Sequence, residues 1–206
     1  KAANAGNATA MYNIGYMYDC GEGVEQDYSK ALEWYNKAAN AGNTAAMYNI
    51  GYMYEFSEGV EQDYTKALEW YNKAVNAGNA AAMNNIGYMY EFSEGVEQDY
   101  TKALEWYNKA VNAGNAAAMN NIGRMYEFGK GVEQDYTKSL EWYNKAANAG
   151  NATAMYNIGY MYDCGEGVEQ DYSKALEWYN KAANAGNTAA MYNIGYMYEF
   201  SEGVEQ

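Results

Sequence analysis

The sequence contains no histidine and no proline, only two cysteines and only one arginine among its 206 residues. Histidine is the commonest general acid–base group and a common metal ligand, so its absence excludes most hydrolytic triads and many zinc sites. Neither Cys20 nor Cys164 has a histidine to activate it as a nucleophile. Without proline, nothing interrupts a helix. We therefore expect a protein that is not an enzyme, with no catalytic residues, no metal site and no cofactor.

Positive charge is also scarce. The chain has 13 Lys and Arg against 27 Asp and Glu, which gives a net charge of −14. A chain of this charge repels phosphate backbones and anionic lipid, so we expect no nucleic acid and no membrane among its partners. No apolar run approaches the roughly 20 residues that span a bilayer, and no signal peptide begins the sequence. The composition leaves the cellular localisation open.

The dominant feature is an internal repeat of 36 residues without insertion or deletion. It divides the chain into residues 1–36, 37–72, 73–108, 109–144, 145–180 and a partial unit, 181–206. Units of this length stack on their neighbours and extend one continuous core, so we expect a single solenoid domain over residues 1–206. Cys20 and Cys164 occupy the same column four units apart, and we expect no disulfide between them.

Each unit predicts a helix, a turn and a helix. After Asp63, apolar residues recur at i, i+3, i+4 and i+7, which is the spacing of a helix with one buried face. Asp63 is suited to cap its start, Gly78 to end it, and Asn79 to cap the next helix. An interior glycine, Gly51 in the second unit, recurs in every unit and indicates a close approach of two helices. The loop glycine Gly59 also recurs and predicts a positive φ.

These residues resemble the Sel-1-like repeat family, a branch of the tetratricopeptide-type solenoids. The resemblance covers the whole chain, and spacing agrees together with rare residues such as tryptophan. In the first unit it is carried by Ala10, Ile14, Gly15, Tyr18, Gly21, Gly23, Val24, Asp27, Lys30, Ala31, Trp34, Tyr35, Lys37, Ala38, Ala39 and Gly42. The departures are isoleucine for leucine at Ile14, serine for the first loop glycine at Ser57, Ser93 and Ser201, and serine for alanine at Ser139.

The resemblance implies an all-α fold: a right-handed superhelical α-solenoid of 36-residue helix-turn-helix repeats. It further implies that the first helix of each pair lines a concave surface. Members of the family mostly act as adaptors and scaffolds for protein complexes, so the resemblance also implies a protein-binding role.

The candidate binding positions are the outward side chains of the first helix in each pair. In the second unit these are Tyr48, Asn49, Tyr52 and Glu55, with the two tyrosines one helical turn apart. Tyrosine combined with asparagine is typical of interfaces, and it predicts a groove for a protein or peptide. The alternative is that the tyrosines pack against the adjacent unit. The corresponding candidates elsewhere are Tyr12 with Tyr16, Asn84 with Tyr88, Asn120 with Arg124, Tyr156 with Tyr160, and Tyr192 with Tyr196.

Two groups of charged residues invite more specific hypotheses. Arg124 is the only guanidinium and falls in the predicted groove, where it can grip a carboxylate of a partner. The alternative for Arg124 is simple drift among repeats. The loop carboxylates Glu58, Glu61 and Asp63 suggest calcium, but their spacing does not match an EF-hand and Asp63 is explained as a cap.

Two functional hypotheses of different classes remain. Variation at the groove positions, Tyr48 against Asn84 and Tyr52 against Arg124, favours an interaction scaffold. Near-identity of the units favours a self-associating structural rod, since residues 1–62 recur unchanged as residues 145–206. Neither end carries a polar capping repeat. We therefore expect either that the sequence is a window on a longer array or that its ends stack on neighbouring molecules by end-to-end self-association.

Overall fold

The computed structural model describes residues 6–200, and every regular element in this range is an α-helix. The eleven helices of the described range are α1 (Ala8–Cys20), α2 (Tyr28–Asn40), α3 (Thr44–Phe56), α4 (Tyr64–Asn76), α5 (Ala80–Phe92), α6 (Tyr100–Asn112), α7 (Ala116–Phe128), α8 (Tyr136–Asn148), α9 (Ala152–Cys164), α10 (Tyr172–Asn184) and α11 (Thr188–Phe200). The predicted helix-turn-helix repeat is therefore confirmed. None of the described helices has the length and hydropathy to cross a bilayer.

Polar side chains set the start of each helix, as predicted. The Asn43 side chain accepts a hydrogen bond from the Ala46 backbone N–H at 2.8 Å at the start of α3. The Asp63 carboxylate accepts one from the Lys66 backbone N–H at 3.0 Å at the start of α4. Each cap satisfies a helix N–H that has no partner within the helix. Asparagine caps the odd-numbered helices and aspartate the even-numbered ones, from α1 to α10.

The helix ends use the left-handed backbone region. Gly78 follows α4 with φ 85°, and the Asn79 N–H donates back to the Ala74 carbonyl at 2.9 Å, so the predicted stop is confirmed. Ser57 ends α3 with φ 61° although it is not glycine. Its hydroxyl donates to the Val60 carbonyl at 3.0 Å, a local hydrogen bond that helps hold the turn. The serine departures at Ser57 and Ser93 thus leave the turn intact.

The second loop glycine has the predicted positive φ in every described unit, for example 70° at Gly59. A Cβ at Gly59 would lie 2.2 Å from the Cβ of Tyr28, so the position is also too crowded for a side chain. The corresponding Gly203 lies outside the described residues, as does Ser201.

The described residues divide into two compact units after Ala113. In the first unit α1 to α6, and in the second α7 to α11, each helix packs against the next one along the chain. Each unit is thus an α-solenoid of tandem helix pairs. Repeats also interlock, since Trp70 of α4 packs against the core cluster that contains Tyr35 of the preceding repeat. Continuity as a single domain over residues 1–206 stays a prediction. Both cysteines are free, as expected.

Candidate functional site

We call the outward side of the odd-numbered helices of a unit its odd-helix face; α1, α3 and α5 form that of the first unit, and α7, α9 and α11 form that of the second. Two columns of predicted site residues lie one turn apart on it. The first column is Tyr12, Tyr48, Asn84, Asn120, Tyr156 and Tyr192, and the second is Tyr16, Tyr52, Tyr88, Arg124, Tyr160 and Tyr196.

The second column is the more open one. The exposed fraction is 42% for Tyr16, 36% for Tyr52 and 39% for Tyr160. Tyr88 and Arg124 are half-buried. A phenylalanine one turn further on extends the aromatic surface, because the ring centroids of Tyr52 and Phe56 are 4.3 Å apart. Aromatic rings at these positions remain accessible after the helices have packed.

The first column is divided between packing and exposure. Tyr12, Tyr48 and Tyr156 are half-buried, and the centroid of Tyr48 lies 5.6 Å from that of the fully buried Tyr71. Tyr192 of α11 is 75% exposed. Each half-buried ring therefore stacks on the core with one side and presents the other to the face.

Asn120 is less exposed to solvent than we predicted from its position in the first column. Its side chain is 5% exposed, and its Oδ1 accepts a hydrogen bond from Asn157 Nδ2 at 3.0 Å. Asparagine is shorter than tyrosine, so at this position it reaches the neighbouring odd-numbered helix instead of the surface. Asn120 therefore joins α7 to α9, while Asn49 and Asn84 are half-buried.

The prediction that Glu55 points outward is wrong. Glu55 is 2% exposed, and its carboxylate accepts a hydrogen bond from the Tyr71 hydroxyl. Asn85 donates to that hydroxyl at 3.0 Å, which completes a buried polar network between α3, α4 and α5. Burial raises the pKa of Glu55, while the hydrogen bonds from Tyr71 and Asn85 act in the opposite direction. Tyr71 reaches Glu55 because its ring passes over Gly51, where no side chain blocks it.

This acid–tyrosine pair recurs through the described repeats, always 16 residues apart. The Tyr107 hydroxyl donates to Glu91 at 2.7 Å. In repeats with aspartate, Tyr35 donates to Asp19 at 2.8 Å and Tyr179 to Asp163 at 3.0 Å, in less buried surroundings. Sequence reasoning assigned these tyrosines only to an apolar face. The signal that it missed was an acid paired with a core tyrosine at constant spacing.

Cavities open between neighbouring odd-numbered helices, at the same place in successive repeats. Between α1 and α3 the volume is about 230 Å³, with Tyr16 and Tyr52 among its walls. Between α3 and α5 it is about 220 Å³, with Tyr52 and Tyr88. Between α7 and α9 it is about 320 Å³, with Arg124 at the position that corresponds to Tyr16. Second-column residues from adjacent repeats of one unit therefore come together in pairs, whereas Tyr12 and Asn120 are not among the walls of these three cavities.

The arrangement offers aromatic rings, amides and carboxylates in shallow cavities. Such groups bind side chains of another molecule by stacking, hydrogen bonding and charge. Among residues 6–200 no group of three or more Cys, Asp or Glu side chains is placed to hold a metal ion.

Comparison with solved structures gives close matches. The chain is similar to a Sel1 repeat protein from Oxalobacter formigenes, with a TM-score of 0.86 and 38% identity, over 96% of this chain and 81% of that one. It is also similar to c5321, a protective antigen of uropathogenic Escherichia coli strains with an SLR fold, at TM-score 0.78 and 38% identity. That match covers 97% of this chain and 43% of c5321. Immunity protein Pa5087 from Pseudomonas aeruginosa matches at TM-score 0.69 and 28% identity, over 89% and 67% of the two chains.

No protein of curated function matches the chain. The family model of the Sel1 repeat matches six successive segments, residues 8–43, 44–79, 80–115, 116–151, 152–187 and 188–206. The first segment begins with α1 and ends at Asn43, the residue that caps α3, so the match follows the helix pairs. Sequence, fold and solved relatives agree, and the chain belongs to the Sel1 repeat family.

Proposed function

We propose that the chain is a non-catalytic scaffold that binds a peptide or an extended segment of a protein on the odd-helix face of its units. Proteins of the Sel1 repeat family generally act as protein-interaction scaffolds. The observation that carries the proposal for this chain is the aromatic surface that packing leaves open: Tyr16, Tyr52, Phe56, Phe92, Phe128 and Tyr160 are all at least 36% exposed.

The energetics favour this face over the rest of the surface. An exposed aromatic ring offers a large apolar area at a small entropic cost, because only two torsions are fixed when it is covered. Tyr48 is further held by its contact with the buried Tyr71, so little order is lost on binding. The neighbouring Asn49 and Asn85 add hydrogen-bonding groups at the cavity walls. A rigid aromatic surface beside polar groups is the composition of binding hot spots.

The test is a selection of short random peptides displayed on phage against the immobilised protein. The selected peptides are then titrated against the wild type, against a Tyr52→Ser/Tyr88→Ser variant and against a Tyr52→Phe/Tyr88→Phe control that keeps the rings. We expect the serine variant to bind about tenfold more weakly or worse, and the phenylalanine control to bind nearly as well as the wild type. Equal affinity for all three proteins, each shown to be folded by circular dichroism, would overturn the proposal.

The alternative function, a self-associating rod, stays a prediction from the near-identity of the repeats. A light-scattering mass that grows with protein concentration would support the rod, whereas a constant monomer mass favours the scaffold.

A further inference from the structure

The cavity between α1 and α3 differs chemically from the cavities between α3 and α5 and between α7 and α9. Three tyrosine rings line it, those of Tyr16, Tyr48 and Tyr52, together with the carboxylates of Asp19 and Glu58. No lysine or arginine lines this cavity in the part of the chain that the structure describes. The site thus combines aromatic faces with two negative charges and contributes no cation of its own.

Both carboxylates lie where water screens them only in part. Asp19 and Glu58 are half-buried. Asp19 accepts a hydrogen bond from Tyr35, and neither carboxylate forms an ion pair within residues 6–200. Burial raises the pKa of Glu58, and the charge of Asp19 raises it further. Burial, followed by the nearby carboxylates, also raises the pKa of Tyr52. These shifts have the direction expected of a site with excess negative potential.

The matching cavity between α7 and α9 has an internal cation. Arg124 takes the position of Tyr16, and Glu127 and Glu166 take those of Asp19 and Glu58. The charge of Arg124 opposes the rise in the pKa of Glu127 that burial causes. This cavity therefore has a counter-charge that the first one lacks, and the two differ in preference for a charged ligand.

The cavity between α3 and α5 differs from both of these cavities in the side chains that line it. Its carboxylate, Glu55, is buried and accepts hydrogen bonds from Tyr71 and Asn85. Asn84 stands at the position of Tyr48, and Glu94 stands at the position of Glu58, where its charge raises the pKa of Glu55. This cavity therefore has an amide in place of one tyrosine ring, and only one of its two carboxylates, that of Glu94, is not buried.

We propose that the cavity between α1 and α3 binds a lysine or arginine side chain from a basic segment of a protein partner. The proposal rests on the scaffold function proposed above and names the chemistry of its partner. Charge complementarity selects the occupant, because the chain carries a net charge of −14 and two of its carboxylates line this cavity without a cation. A volume of about 230 Å³ suits a single side chain better than a drug-sized ligand, which fills roughly 300–1,000 Å³.

Contacts between a lysine cation and an aromatic ring, of the kind that we propose for this cavity, already occur elsewhere in the chain. Lys66 Nζ lies 5.2 Å from the ring centroid of Tyr54, and Lys73 Nζ lies 3.7 Å from that of Trp70. A cation over an aromatic face is attracted by the negative face of the ring. In the cavity the same attraction acts from Tyr16 and Tyr52, and the carboxylates of Asp19 and Glu58 add to it.

The experiment uses a fluorescent peptide of glycine, serine and lysine, with a second peptide in which glutamine replaces every lysine. Fluorescence anisotropy gives the affinity of each for the whole chain. Because residues 145–206 repeat residues 1–62, each substitution is made in both copies of the sequence. The decisive variant is Asp19→Asn/Glu58→Gln with the same changes at Asp163 and Glu202, and its matched control is Glu25→Gln/Glu61→Gln with the same changes at Glu169 and Glu205, which removes the same number of charges. A third variant, Tyr16→Arg with Tyr160→Arg, places a cation in the cavity without touching the Asp19–Tyr35 hydrogen bond.

We expect the cavity variant and Tyr16→Arg each to weaken binding of the lysine peptide about tenfold, and the loop control by less than about twofold. The carbon-13 methyl signal of Met53, which lines the cavity, should shift with the lysine peptide and not with the glutamine peptide. Absence of measurable binding, or equal weakening in the cavity variant and the loop control, would overturn the inference. Binding of tetramethylammonium in the cavity, without binding of the lysine peptide, would also overturn the inference.

The two proposals fail separately. If the display-selected peptides depend on the rings of Tyr52 and Tyr88 while the lysine peptide ignores Asp19 and Glu58, the scaffold stands and the cation site is wrong. If neither dependence is found, both are wrong.

Discussion

The aromatic ring of Tyr71 lies directly on Gly51. A Cβ at Gly51 would stand 2.7 Å from ring carbon Cδ1, closer than van der Waals contact allows. The same contact joins Gly15 to Tyr35, Gly87 to Tyr107, Gly123 to Tyr143 and Gly159 to Tyr179. It lets the two helices of a pair approach and lets the tyrosine hydroxyl reach the acid at the end of the first helix. Because glycine has no side chain, this one position permits both the close packing of the helices and the buried hydrogen bond.

Replacing Gly51 by alanine should destabilise the protein. Overpacking of a core costs about 1–3 kcal/mol, whereas alanine gains up to about 1 kcal/mol in helix propensity, so we expect a net loss of about 1–2 kcal/mol. The ring cannot move aside easily, because Tyr71 is fully buried and hydrogen-bonded to Glu55. Denaturant unfolding, with hydrogen exchange in α3 and α4, measures the loss.

Gly195 provides the matched control for that change. It occupies the same column in α11, and within residues 6–200 no atom outside its own helix lies within 4 Å of the Cβ that alanine would add. Gly195→Ala should therefore leave stability unchanged or raise it by up to about 1 kcal/mol. Equal effects of the two substitutions would show that the contact with Tyr71 is not what requires glycine.

Stability should depend on pH through Glu55. Burial raises its pKa in the folded protein, so the folded state holds this proton more tightly than the unfolded chain does. The free energy of unfolding should therefore rise as the pH falls from neutral towards the ordinary glutamate pKa of 4.5. The Glu55→Gln variant should lack the part of that rise that comes from protonation of Glu55. Hydrogen exchange of α3 and α4 across this range measures the difference.

The control for Glu55 is Glu61→Gln, an exposed loop carboxylate whose loss should keep the pH dependence of the wild type. The capping aspartates should not interfere. The pKa of Asp63 is lowered, chiefly by the hydrogen bond from the Lys66 backbone, so Asp63 remains charged throughout the range. An unchanged pH profile in Glu55→Gln would contradict the buried-carboxylate account.

Ser139→Ala should stabilise the second unit by about 1 kcal/mol, since an unsatisfied buried hydroxyl is removed and helix propensity improves. The Ser139 hydroxyl is buried and has no hydrogen bond of good geometry among the described residues, although it lies near enough to Tyr143 to oppose the rise in the pKa of that tyrosine. The other complete repeats have alanine at this position. Thermal unfolding measures the gain. The control is Ser173→Ala at an exposed position of α10, for which we expect a change within about 0.5 kcal/mol. A loss of stability in Ser139→Ala would mean that the hydroxyl has a stabilising role.

Arg124→Tyr should convert the cavity between α7 and α9 into a second cation site. The change removes the internal cation and leaves Tyr156, Tyr160 and Glu166 in the walls. We expect the variant to bind about one more lysine peptide per chain than the wild type, as isothermal titration calorimetry would show. Unchanged stoichiometry would mean that Arg124 does not set the charge preference of this cavity.

The sequence was sufficient for the helices because their signals are local. Asn43 and Asp63 cap the helices that follow them, Gly78 ends a helix, and Gly59 allows a turn. Each of these effects depends on residues only a few positions away. The close approach at Gly51 was also predictable, because a recurrent glycine inside a helix needs a packing reason. Helical periodicity thus gave the architecture of the repeat.

The candidate site was predictable only in outline. Whether Glu55 points outward depends on where the hydroxyl of Tyr71, 16 residues later, comes to lie, and periodicity within one helix does not contain that information. The burial of Asn120 likewise depends on Asn157 of the next repeat. The cavities draw walls from two helices and a loop, so their different charges became visible only once the repeats were stacked.

The most direct test of the scaffold account is site-specific photo-cross-linking to a display-selected peptide. The photoreactive residue p-benzoylphenylalanine replaces Tyr52 on the odd-helix face in one protein, and Glu69 on the exposed side of α4 in another. The account predicts a covalent adduct from the position of Tyr52 and little or none from that of Glu69. Equal adducts from both, or an adduct from Glu69 alone, would contradict binding at the odd-helix face.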